Sequence, residues 1–160
     1  MKQIRLKGVI HEDYVNYKEP SMVLLFPHCS FKCDNENGTQ LCHGRGLSLE
    51  KDINVEIDSL IDKYLENDLT HAIVCSGLDP MDSFAQLKEF IRRLRLKTDD
   101  MVIIYTGYKN DEIELEVDEL KEYPNIIVKF GRFKPGYDSH KDPVLGVDLA
   151  SPNQYAVKIS

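Results

Sequence analysis

Along this chain, unbroken apolar runs alternate with stretches in which apolar residues recur every three to four positions. Ile4 to Ile10 ("IRLKGVI") alternates apolar and basic residues, which suits an edge strand with one wet face. Met22 to Phe26 ("MVLLF") is a continuous apolar run bounded by Pro20 and Pro27, the pattern of a buried strand. From about Asn54 to Leu65, the residues Ile57, Leu60, Ile61, Tyr64 and Leu65 fall on one side of an amphipathic helix. "HAIVCSG" (His71 to Gly77) follows as a short strand that runs into the turn signal "SGLDP". Phe84, Leu87, Phe90, Ile91 and Leu94 share a second helical face, with Asp82 as its predicted cap. "MVIIYTG" (Met101 to Gly107) is the next apolar run. "NDEIELEVDELKEY" predicts a third helix, weakened by β-branched apolar residues. "NIIVKFG" (Asn125 to Gly131) predicts a further strand, and the tail "PVLGVDLASPNQYAVKIS" one more.

Strands of continuous apolar character separated by helices of about a dozen residues imply repeated βαβ units and a mostly parallel sheet. The fold class is therefore α/β, with residues 1–160 as a single domain that contains no repeat and no linker. Ligand chemistry in such sheets gathers at the carboxyl ends of the strands. Four unusual turns follow strands here, "PHCSFKC", "SGLDP", "YTGYK" and "GRFKP", and all four are expected at one edge.

Composition narrows the function. With 42% hydrophobic and 29% charged residues the chain is that of an ordinary folded protein. A formal charge of −7 is the wrong sign for binding nucleic acid. No window approaches the ~20 apolar residues of a membrane span, and the N-terminus has no signal-like run, so the expectation is a cytoplasmic protein that keeps its thiols reduced.

Those thiols are clustered. "FPHCSFKCDNENGTQLCHG" carries Cys29, Cys33 and Cys42 at spacings x3 and x8. Three thiolates hold three irons of a [4Fe-4S] cube and leave the fourth open to an exchangeable ligand. A structural Cys3His zinc site, with His28 or His43 as the fourth ligand, fits the same residues, as do simple unligated thiols.

The triad after a strand, the "SGLDP" turn, the segment "IIYTGYKNDEI" and the closing "ASPNQ" together resemble the radical S-adenosylmethionine (SAM) superfamily. Within it the chain is most similar to the small activating enzymes of anaerobic ribonucleotide reductase, from about His11 to the C-terminus. The resemblance implies an incomplete βα barrel and a glycyl-radical-enzyme activase, with a [4Fe-4S] cluster and SAM as cofactors. In that pattern Cys29, Cys33 and Cys42 ligate the cluster. Ser76, Gly77, Leu78, Asp79 and Pro80 stand in the turn that receives the SAM amino group, with Gly77 allowing close approach and Asp79 as the acceptor. Thr106 and Gly107 line the SAM pocket, Arg132 pairs with the SAM carboxylate, and Asn153 and Gln154 match the family's closing Asn-Gln. The implied partners are an anaerobic ribonucleotide reductase as the glycyl-radical enzyme, and flavodoxin or ferredoxin as electron donor. Cleavage of SAM in that family gives methionine and a 5′-deoxyadenosyl radical that takes a hydrogen atom from a glycine.

The departures are definite. The family's second spacer is x2 with an aromatic before the last cysteine, where this chain has x8 and Leu41. Asp79 replaces a glutamate and Phe130 an aspartate. The alternatives are a radical SAM enzyme with another protein or small molecule as substrate, and a non-catalytic zinc-binding module. Residue by residue, Cys75 reads as a buried small hydrophobe, His28 as a loop anchor, and Asp79 alternatively as a plain turn residue before Pro80. One of Tyr105 and Tyr108 is expected in the core, Arg132 and Lys134 alternatively in solvent, and the acidic run after Lys109 on a wet helix face.

Overall fold

The structure is a computed structural model that describes residues 2–28 and 45–160. Its centre is a six-stranded sheet built from β2 (Gly8–Asp13), β3 (Ser21–Phe26), β5 (Ala72–Gly77), β6 (Met101–Tyr105), β7 (Ile126–Phe130) and β10 (Tyr155–Lys158), in the order β10-β7-β6-β5-β3-β2. The four apolar runs read from the sequence are the four inner strands, and they pair in parallel, Met22 beside Ile73, Ile73 beside Val102 and Val102 beside Ile126. Only strands covered on both faces tolerate such composition. Antiparallel β2 and β10 close the two edges. The result is a mixed α/β fold with a largely parallel central sheet.

Three helices, α1 (Ile57–Glu66), α2 (Phe84–Leu94) and α3 (Glu114–Leu120), pack on one face of this sheet. Leu60, Ile61 and Tyr64 of α1, Leu87, Phe90 and Ile91 of α2, and Val117 and Leu120 of α3 meet Leu24, Ile73, Ile104 and Val128 in the main core. The opposite face carries Val23, Val74, Ile103 and Ile127, covered by Tyr17, Leu145 and Leu149 from segments outside the main sheet. With these three helices on one side, successive parallel strands are added in one direction across the sheet. All the turns that follow them are thereby delivered to the same edge.

Five local expectations are corrected. The alternating run Ile4–Ile10 is two strands, β1 (Gln3–Leu6) and β2, separated at Lys7, whose backbone N–H donates to the Leu25 carbonyl at 2.6 Å. Asn54 does not begin a helix: Ile53–Glu56 is β4, antiparallel to β1, and α1 starts only at Ile57. Asp82 does not cap α2. A 3-10 turn, Pro80–Ser83, comes first, and its cap is Asp79, whose carboxylate accepts from the Met81 N–H at 3.0 Å, while Asp82 accepts a 2.6 Å bond from the Tyr108 hydroxyl. The third helix is preceded by its own 3-10 turn, Asn110–Glu112. The tail from Pro143 holds two strands rather than one: β9 (Val147–Leu149), which forms a hairpin with β8 (His140–Asp142) just before the tail, and β10, which joins the main sheet. Buried Asp142 organises them, accepting from the N–H groups of Val144, Leu145 and Ala156.

Candidate functional site

At the carboxyl edge of the parallel strands the turns are cross-linked by backbone bonds. The Leu78 N–H donates to Phe26, the Asp79 N–H to His28 at 2.7 Å, the Thr106 N–H to Lys129, and the Gly131 N–H to Tyr108. The turns after β3, β5, β6 and β7 thus lie together as expected, as far as His28 on the first. Cys29, Cys33 and Cys42 lie outside the described residues, but Cys29 directly follows the residue to which the Asp79 turn is tied.

Asp79 is the hub. Its side chain is buried, with one oxygen accepting from the Met81 N–H and the other from the Thr106 hydroxyl at 3.1 Å and the Gly107 N–H at 3.0 Å. Burial pushes its carboxyl up to about 6; the N–H groups of Gly107 and Met81 oppose this, the Asp82 charge adds to it, and the Thr106 bond opposes it. The Thr106 hydroxyl accepts in turn from the Tyr108 N–H, so β5 and β6 meet through one fully oriented carboxylate. A plain turn residue would need only the Met81 bond. The two further donors come from a different strand's turn, and they hold the carboxylate at the sheet edge.

Gly107 separates this acid from a base. A methyl group built on Gly107 would stand 3.8 Å from Asp79 Oδ2 and 3.5 Å from Arg132 Cγ. Arg132 is 4% exposed, which removes the expectation that it is solvated; Lys134 alone of the two is exposed. The Arg132 guanidinium lies 5.8 Å from the Tyr108 ring centroid and makes two parallel bonds of 2.8 Å to Glu112. A carboxylate and the stem of an arginine thus flank one small residue.

The closing "ASPNQ" holds this turn from behind. Gly131 has φ +103, and a Cβ there would come within 2.9 Å of the Asn153 carbonyl oxygen. The Asn153 side chain donates to the Arg132 carbonyl at 2.8 Å and accepts from the Ser151 hydroxyl at 2.7 Å, while the Gln154 side chain accepts from the Ser151 N–H. Asn153 therefore acts on the backbone that carries Arg132. Asn153→Ala is expected to cost about 1–2 kcal/mol of stability, read as a lower urea midpoint at unchanged slope.

The remaining predicted residues separate by role. Gly77 faces the backbone of β3, and half-buried Ser76 sits beside Leu25. Cys75 is fully buried in the main core, and burial pushes its thiol well up, as suits a small hydrophobe. Phe130 is also core and stacks at 5.5 Å on Tyr155. Tyr105 and Tyr108 are both half-buried, packed on opposite faces of the sheet. Two residues escaped the sequence reading. Buried Lys129 donates to the Gly131 carbonyl at 3.0 Å and stands 5.8 Å from the Tyr105 ring centroid; a lysine within an apolar strand was its only signal. Glu112 is exposed along with Glu114, Asp118 and Glu119, as expected of the acidic run, and what the sequence did not show is that its carboxylate also pairs with Arg132.

Among the described residues no three His, Cys, Asp or Glu side chains are grouped to hold a metal ion, and no helix is long and apolar enough to cross a membrane. Compared with known families, residues 20–153 match the 4Fe-4S single cluster domain, a span that includes Cys29, Cys33 and Cys42. No curated protein matches the chain.

Proposed function

The chain belongs to the 4Fe-4S single cluster domain family, and on that footing we propose that it is a radical SAM activase, which reductively cleaves SAM at a [4Fe-4S] cluster to generate a glycyl radical on an anaerobic ribonucleotide reductase. The observation that carries this reading is the placement of buried Asp79 and Arg132 on either side of Gly107, with Asp79 one backbone hydrogen bond away from the residue that precedes Cys29. The likeness of "IIYTGYKNDEI" and "ASPNQ" to that activase family supports the choice of partner.

When bound, the cluster supplies the electron that splits the SAM sulfonium. The chain's own part is to hold and orient. Cys29, Cys33 and Cys42 are three thiolates, one short of saturating a cube, which leaves an iron for the substrate. Asp79, held by three donors, accepts the SAM ammonium; Arg132 takes the carboxylate; Gly107 leaves room between them. On this reading the sheet curves as an incomplete βα barrel whose open side admits the reductase's glycine loop, and flavodoxin or ferredoxin delivers the electron.

The test is chemical. Protein purified without oxygen is expected to carry about four irons per chain, and with dithionite and SAM to release 5′-deoxyadenosine. Addition of the reductase should then give the electron paramagnetic resonance doublet of a glycyl radical. One zinc, no iron and intact SAM would make the triad structural and sink the proposal. Cleavage of SAM without a radical on the reductase would redirect it to another substrate.

A further inference from the structure

The sheet face opposite the three helices changes character at its carboxyl end. Its middle row is apolar throughout, with Val23, Val74, Ile103 and Ile127. Two residues further along each strand the side chains return to the same face, and that row reads Leu25, Ser76, Tyr105 and Lys129. Ser76 and Tyr105 lead directly into the turns that carry Asp79 and Thr106. Across this polar row lies the connection between β2 and β3, residues 14–20, whose Asn16 carbonyl accepts from the Tyr105 hydroxyl at 2.5 Å. Burial pushes the Tyr105 phenol well up, so it stays a donor. The connection keeps its own shape, because the Asp13 carboxylate accepts from the N–H groups of Val15 and Asn16 and from the Asn16 side-chain amide, all within 3.2 Å. Among the described residues two hydrogen bonds tie residues 14–18 to the fold beyond β2: the Tyr105 bond, and one from the Lys18 N–H to the Leu145 carbonyl at 2.9 Å. Of these five residues Tyr17 is buried, whereas Tyr14 and Val15 at the crest are 61% and 74% exposed.

We propose that residues 14–18 form a strap that covers the polar row while the chain is alone, latched by Tyr105, and that the partner protein's peptide loop displaces the strap to reach that row. The inference rests on the activase reading above for the partner, a reductase with its glycine loop, but not for the latch. Because the Asp13 bonds are internal to the strap, its turn leaves as one piece. What opposes departure is the Tyr105 bond, the Lys18 bond and the burial of Tyr17. Closed, the strap keeps small molecules off the row, and a partner that brings its own chain replaces what the strap gives up. The latch has a quantitative consequence. A partner that binds the open form alone has its apparent affinity reduced by the fraction of chains that are open. Weakening the latch must therefore raise opening and apparent affinity by the same factor, and a fixed loop predicts neither.

The test reads amide hydrogen exchange and reductase activation on the anaerobically purified, cluster-loaded full chain, as wild type and as Tyr105→Phe, which keeps the ring and loses the hydroxyl. The Lys18 amide, held by Leu145, reports opening of the strap. Loss of the latch is expected to speed its exchange about fivefold while the amides of α2 stay unchanged. The reductase concentration for half-maximal glycyl-radical formation is expected to fall by the same factor, about fivefold. Saturating reductase added to wild type is expected to speed Lys18 exchange at least about tenfold, the reverse of the protection that docking over a fixed loop gives. Unchanged Lys18 exchange in the variant, or protection of Lys18 by a reductase that does acquire its radical, overturns the strap and leaves the activase reading intact. No radical on the reductase removes that reading and the inference with it. If Tyr105→Phe does not fold, the sign of the change in wild-type Lys18 exchange on adding reductase decides alone.

Discussion

Replacing Gly77 by alanine is expected to cost at least about 3 kcal/mol of stability, a large fraction of the ~5–15 kcal/mol typical of a domain. Two penalties coincide at this residue. Its φ is +84, a region in which a Cβ costs about 1–2 kcal/mol. The added methyl would also stand 2.6 Å from the Phe26 nitrogen and 2.8 Å from the Leu25 backbone, atoms of a paired central strand that cannot yield as a flexible side chain would. Overpacking of this kind adds about 1–3 kcal/mol. Gly107→Ala serves as the contrast, because its nearest contacts, 3.5 and 3.8 Å, are ordinary and its φ is not in the left-handed region. Urea unfolding of the two variants should therefore differ sharply, Gly107→Ala staying within about 1 kcal/mol of wild type. Equal, small losses would mean that β3 and β5 separate easily at their carboxyl ends, and with them the frame of the whole site.

The contrast also shows which parts of the site were legible. Gly77 was expected to permit close approach in its turn, and the structure shows the neighbouring strand approaching it, a fact of register that a single turn cannot reveal. The inner strands could be read because burial on both faces demands unbroken apolar runs, and the edge on which the turns gather follows from their common direction. β4 was hidden by the stronger helical period that begins one residue after it, and the tail strands are three or four residues long, shaped by bonds to Asp142 rather than by periodicity. Asp79, Thr106 and Gly107 could be singled out because each stands in a turn after an apolar run, and the structure joins the three by hydrogen bonds. The Glu112–Arg132 pair was missed because its two partners lie 20 residues apart in sequence. The cysteine spacing spoke to chemistry without any help from the fold.

Asp79 carries the largest expected effect on ligand binding, and its pH dependence gives the effect a sign. Burial raises its carboxyl from 3.8 to about 6, so between those values the folded chain holds a proton that the unfolded chain has released. Its contribution to stability is therefore complete below about pH 4, declines as pH rises through 6, and is constant above; a gap of about two units amounts to about 3 kcal/mol. Asp79→Asn should abolish that decline in urea titrations from pH 4 to 8, although the amide nitrogen must then face one of the N–H groups that the carboxylate now accepts from. SAM binding should respond in the opposite direction. An ammonium is held only by the ionised form, so wild-type affinity is expected to fall about tenfold for each pH unit below 6. Asp79→Asn should bind about a hundredfold more weakly at pH 8, with little change down to pH 5. The two experiments share one titrating group and must yield the same midpoint. A stability decline near pH 6 accompanied by flat wild-type SAM affinity would leave Asp79 as a buried clasp between β5 and β6 and move the ammonium elsewhere, whereas coincident midpoints would tie the carboxylate that joins the two strands to the ligand itself.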